Sequence, residues 1–115
     1  MKPARIDWNA FNNEEASFAI AVTFADSSPF DWSQYSAIAM QVKADPLQPE
    51  ADLALSLGAG LAVRDDDHSI LDGVIALADL ETCLGLYVYD VVGTNAGDTT
   101  VVVTGTIMFS QGVTR

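Results

Sequence analysis

The chain has 115 residues, half of them hydrophobic, and 16 Asp plus Glu against 5 Lys plus Arg give a formal net charge of −11. That length fits one domain; five scattered basic residues cannot form the cationic surface that nucleic-acid binding needs, and no apolar run approaches the roughly 18 residues of a membrane-spanning helix. The single cysteine, Cys83, excludes an internal disulfide and a multi-thiolate zinc site, so the fold has to stand on packing.

Met1 to Asn13 starts with basic residues but has no apolar core of a secretory signal, which points to synthesis in a cytoplasm. The segment carries Ile6, Trp8 and Phe11 without a clean period. It reads as an N-terminal arm, residues 1–13, that docks on a neighbouring protein or on the surface of the domain formed by residues 14–115. In Phe18 to Phe24 the bulky residues alternate with Ala19, Ala21 and Thr23, as in a strand with one buried face. Asp31 before Trp32-Ser33 has the character of a turn or cap residue. Ile38, Met40 and Val42 form the next alternation. A loop containing Pro46 and Pro49 follows, and then Leu53, Leu55 and Leu57 alternate again.

Leu61 with Val63 predicts a short strand, and Ile75 with Leu77 another, with Asp65 to His68 as a hairpin loop ahead of Ile70. Ala78 to Leu84 has Leu80, Cys83 and Leu84 at helical spacing and ends at Gly85, which suits a left-handed cap. The last two strands are joined by a turn at Thr94 to Asp98. They place Tyr87, Tyr89 and Val91 on one face, then Val101, Val103, Gly105, Ile107 and Phe109. The whole predicts an all-β fold: an immunoglobulin-like antiparallel β-sandwich of about seven strands with one short helical turn. Gly85, Tyr87 and Tyr89 are the structural residues of its penultimate strand. Gly85-Leu86-Tyr87 resembles a tyrosine corner, with the Tyr87 hydroxyl expected on backbone near the 78–85 turn.

Candidate chemistry is sparse. Clustered carboxylates at Asp65, Asp66 and Asp67 are what a hard cation requires, yet consecutive aspartates in extended chain point to opposite sides, and a hairpin loop needs no ligand. Cys83 has no histidine near it in sequence and reads as a small buried hydrophobe rather than a nucleophile; the one histidine is His68. No cofactor and no catalytic residue are expected. Trp8, Phe11, Trp32 and Tyr35 either line a sugar-binding face or plug the ends of the sandwich and meet a neighbouring subunit.

Phe18 to Phe24, then Pro29-Phe30-Asp31-Trp32-Ser33-Gln34-Tyr35 leading into Met40-Gln41-Val42-Lys43, then Gly85-Leu86-Tyr87-Val88-Tyr89-Asp90, and a close at Thr104 to Arg115, occur in a recognisable order. In these segments the chain resembles a family of small immunoglobulin-like proteins of tailed bacteriophages and prophages, related to the N-terminal domain of phage baseplate upper proteins. The likeness covers about residues 16 to 115. Gln34 stands where the family has glycine, Trp32 where it has leucine, Leu86 where it has a basic residue and Thr104 where it has glutamate, so one polar pair of the family is missing.

The resemblance implies a non-enzymatic virion structural protein of the tail, tail tip or baseplate, made in the host bacterial cytoplasm and present in several copies or as a homo-oligomer. Its partners would be other virion proteins; the residues themselves offer Ile6, Trp8, Phe11 and Trp32 as contact residues, and charge and the lack of a long apolar run argue against nucleic acid and a membrane. A capsid decoration protein, a module that binds host-surface carbohydrate, and a hydrolase built on Asp65 to His68 are the alternatives.

Overall fold

The computed structural model describes residues 4–11, 15–22, 30–80 and 83–110, with the backbone alone for Phe11 and Leu77. The expected strand residues Thr23 and Phe24 and the chain's closing Gln111 to Arg115 lie outside that set. Nine strands run through the described residues: β1 (Ala4–Arg5), β2 (Trp8–Phe11), β3 (Ala16–Ala21), β4 (Ala37–Lys43), β5 (Leu53–Leu57), β6 (Gly60–Val63), β7 (Ile70–Ile75), β8 (Gly85–Asn95) and β9 (Asp98–Ser110). A 3-10 turn at Trp32–Gln34 precedes β4, and a four-residue helix α1 (Leu77–Leu80) follows β7. The fold is all-β and sandwich-like.

Hydrogen bonding follows one path, β1-β9-β8-β4-β5-β6-β7-β3, with β2 continuing β1 along β9. The path folds over at the corner between β5 and β6. There Gly58 and Gly60 take φ of +82° and +104°, and a Cβ on Gly60 would lie 2.6 Å from the Leu55 side chain. Glycine is needed at that corner for its backbone freedom and for its lack of volume. The sheet curls until its far strand returns to its first: Phe18 of β3 stacks on Trp8 of β2, with ring centroids 5.0 Å apart. Between the two halves lies one core, including Ile38, Met40 and Val42 from β4, Leu71 and Ile75 from β7, Val91 from β8 and Ile107 and Phe109 from β9.

Three pairings depart from the antiparallel expectation: β1 and β2 with β9, and β5 with β6, are parallel. The strand expected at Ile75 and Leu77 is β7, which ends at Ile75. Its alternation is hidden because the inward position between Leu71 and Ile75 is Gly73, and the Phe18 ring from the neighbouring strand fills the space a side chain would take.

The expected face of β9 also shifts. Val91 pairs with Val103 and Val92 with Val101, so Val102 is an extra residue in a β-bulge. Val102 and Val103 are both buried, and Val101 turns outward. At the tip of this hairpin Ala96 and Gly97 both have positive φ, +53° and +87°, the backbone of a two-residue type I′ turn.

Residues 4–11 are built into the sheet rather than lying on it. Ala4, Ile6, Trp8 and Ala10 alternate inward. The ladder to β9 is interrupted at Ile6 and Asp7 and resumes in the same register. At the interruption the Ile6 carbonyl drops into the place of the missing side chain of Gly105. Asp7 Oδ1 replaces the lost backbone acceptor, taking the Thr106 amide at 2.9 Å and its hydroxyl at 3.0 Å. The Tyr89 hydroxyl donates to the Ile6 carbonyl at 2.6 Å, locking the kink from inside.

Candidate functional site

Two surface depressions carry polar chemistry. The first is a groove of about 340 Å³ on the outer face of β1, β9, β8 and β4. Alternation along each strand sends every second side chain to this face, and register sets them in two rows. Gln41, Asp90, Thr104 and Arg5 are successive cross-strand neighbours in one row; Lys43, Val88 and Thr106 are neighbours in the next, which Asp7 closes through its bonds to Thr106. Arg5 reaches Asp7 only through Nε, at 3.4 Å, and both side chains are well exposed. The Thr106 amide and then its hydroxyl hold the Asp7 carboxyl below the usual carboxylate range, with Arg5 adding to the effect.

The second depression, about 390 Å³, is bounded by Phe30, Asp31 and the loop Asp65 to Ser69. This is the loop between β6 and β7, as the sequence places it. Two of the carboxylates that bound it are engaged locally. Asp67 Oδ1 accepts from the Ser69 hydroxyl at 2.5 Å and amide at 3.1 Å, and these two bonds pull its pKa down. Asp31 caps the 3-10 turn and accepts from the Ser33 hydroxyl and amide, which lower its pKa in the same way. His68 Nδ1 stands 4.0 Å from Asp31. Among the described residues no three His, Cys, Asp or Glu side chains are arranged to hold a metal ion. The cation of the loop, Arg64, is bound in a fork by Asp72, at 2.7 and 3.1 Å.

The aromatic residues expected to form a contact or sugar-binding face are mostly taken up by the interior. Trp32 is a correction: it is fully buried, donates its indole N–H to the Ser69 carbonyl at 3.1 Å and meets Phe30 edge-on. The 3-10 turn explains this, because it points Trp32 inward while its neighbours Asp31 and Ser33 stay in water. Tyr35 lies over Gly93, within 2.7 Å of where a Cβ would be. Trp8 is half-buried between Phe18 and Tyr89. Its indole N–H is buried without a well-formed hydrogen bond, though it lies near enough to the Tyr89 oxygen to favour the phenolate. Ile6 is half-buried, with its amide on Thr104 and its carbonyl on Tyr89. Phe11 pairs its backbone with Ser110, and its side chain lies outside the described residues.

Cys83 is buried, with Sγ 3.5 Å from the Asp79 carbonyl. It follows the end of β7 while His68 precedes its start, so the whole of that strand lies between the two in the chain. Gly85 has φ of +97° where the turn enters β8. Tyr87 faces inward and meets Phe109 edge-on at 5.1 Å. Burial raises its pKa, Cys83 and Asp52 add to the rise, and a hydrogen bond from the Leu84 backbone opposes it. That Leu84 bond is the backbone contact near the 78–85 turn expected of Tyr87, and Tyr89 makes a second, longer-range tie from β8 to the Ile6 carbonyl.

No helix among the described residues is long and apolar enough to cross a membrane. Neither a scan against protein-family models nor a search of curated proteins finds a match to this chain.

Proposed function

We propose that this chain is a non-enzymatic structural protein of a bacteriophage particle, of the tail or baseplate region, held in place by contacts of its sheet surface with other virion proteins. The observation that carries the reading is an apolar strip on the outer face of the β8–β9 hairpin. Leu86 and Met108 are direct cross-strand partners, 56% and 40% exposed, and Leu84, 62% exposed, precedes them. Large side chains paired in this way and left in water make a contact surface for another protein.

The resemblance supports the same reading in a second way. Its Met40-Gln41-Val42 and Gly85 to Asp90 segments fall on adjacent strands, with Met40 opposite Val91 and Val42 opposite Tyr89. Two of the segments that carry the likeness therefore pair directly, while Phe18 lies on β3 at the other end of the sheet path. A capsid decoration role uses the same surface and differs only in location.

Mass spectrometry of purified particles tests the proposal. The chain should be present at several copies per particle, and Leu86→Ser with Met108→Ser should lower its incorporation while leaving the domain folded. Absence from clean particles refutes the reading, and undiminished incorporation of the double variant refutes the assigned surface.

A further inference from the structure

We propose that the groove across β1, β9, β8 and β4 is a binding subsite for an acidic oligosaccharide, a run of pyranose rings bearing uronic-acid carboxylates. The inference starts from where the cations are. Of the three described basic side chains, Arg64 is consumed by Asp72, whereas Lys43 makes no ion pair among the described residues and Arg5 is held only through Nε. Both of these line the groove. On a chain of formal charge −11, that is the place where a carboxylate meets free donors.

The groups between the two cations define the rest of the ligand. Asp90 sits in the row between Gln41 and Thr104. A carboxylate only accepts hydrogen bonds, so it calls for ligand hydroxyls at this point and disfavours any anionic group set directly against it. Gln41 and Thr104 on either side both donate and accept, which suits ring hydroxyls. Val88, in the adjacent row beside Lys43, offers an apolar spot for the C–H face of a sugar ring. Lys43 on β4 and Arg5 on β1 lie three strand spacings apart, about 14 Å, enough for two or three rings. A polyphosphate carries charge on every face and would set it against Asp90; a uronate chain can turn its hydroxyls toward Asp90 and its carboxylates toward Lys43 and Arg5.

Titration of the full chain with trigalacturonate, followed by two-dimensional amide NMR, tests this directly. Gln41, Lys43, Val88, Asp90 and Thr104 should shift together, and the shifts should be lost with the methyl ester of the same trisaccharide, which keeps the rings and removes the charge. Lys43→Gln and Arg5→Gln should each weaken binding about tenfold, whereas Asp66→Asn in the other depression should leave it unchanged. Asp90→Leu separates a sugar subsite from plain charge attraction. Removing a negative charge would strengthen mere attraction, but loss of the acceptor for ligand hydroxyls should weaken binding. Absence of localised shifts up to about 20 mM, equal binding of the methyl ester, or tighter binding by Asp90→Leu overturns the proposal. Because the assay uses the isolated chain, its outcome is independent of incorporation into particles.

Discussion

Replacing Tyr89 by Phe removes one oxygen atom and isolates the contact that fixes the N-terminal strands. The ring keeps its place beside Trp8, but the Ile6 carbonyl loses a donor at 2.6 Å in a part-buried setting. Leaving such an acceptor unsatisfied costs about 1–3 kcal/mol. With about 4 °C per kcal/mol for a domain of this size, a loss of 2 kcal/mol lowers Tm by about 8 °C. Urea unfolding followed by circular dichroism should show a lower midpoint with an unchanged slope.

Alkaline pH gives a second readout. Burial pushes the Tyr89 phenol up to about 12, with Trp8 opposing, against 10 for the free group. The folded state thus holds this proton more tightly than the unfolded chain does. The associated stability is complete below pH 10 and is lost as pH rises through about 12. That limb should be smaller in Tyr89→Phe, the half-buried Tyr35 and Tyr87 phenols supplying what remains. The substitution should also have little effect in a chain lacking residues 1–7, where the Ile6 carbonyl is gone. A midpoint within about 0.3 kcal/mol of the parent, or an undiminished cost in the shortened chain, would refute the role given to this hydroxyl.

Gly105→Ala should be more damaging than an ordinary glycine substitution, because its methyl group occupies the site of the Ile6 carbonyl; a loss of about 2 kcal/mol or more in urea unfolding is expected. Ala96→Asn should raise stability by about 0.5–1 kcal/mol, since a left-handed position in a type I′ turn prefers asparagine, and an unchanged or lower Tm would contradict the turn assignment. Asp7→Ala should destabilise at neutral pH. Because the folded pKa of Asp7 is lowered, the parent's advantage should shrink as pH falls below 3.8, and a difference independent of pH would show that Thr106 does not hold the carboxylate. Trp32→Phe should cost about 1–3 kcal/mol through loss of the bond to Ser69 and of packed volume, as measured by thermal unfolding.

Strands β4, β5 and β8 were legible because their alternation is uninterrupted and local. β7 was obscured by Gly73, whose missing side chain is supplied by Phe18 from another strand. The bulge at Val102 cannot be read from three consecutive valines, which look alike in either phase. In residues 4–10 the signal was present as Ala4, Ile6, Trp8 and Ala10 against Arg5, Asp7 and Asn9, but their pairing partner is the far strand β9 and nothing local announces it. The aromatic residues misled because composition does not reveal direction: Trp32 sits between polar neighbours and still points inward. The groove was invisible for the same reason, since Arg5, Lys43, Asp90 and Thr104 are brought together by register alone.

The parallel seating of β1 and β2 on β9 also sets an order of events during synthesis. Residue 4 pairs with residue 103 and residue 8 with residue 107, so β1 and β2 have no partner until β9 has been made. Until then Ile6, Trp8 and Ala10 are apolar surface in search of an edge, and Tyr89 has no carbonyl to hold. Contacts of such separation close slowly. The intervening hairpins can form as they appear, but the sheet can be sealed only after β9 has emerged, and during that interval the chain is most open to pairing with the wrong strand.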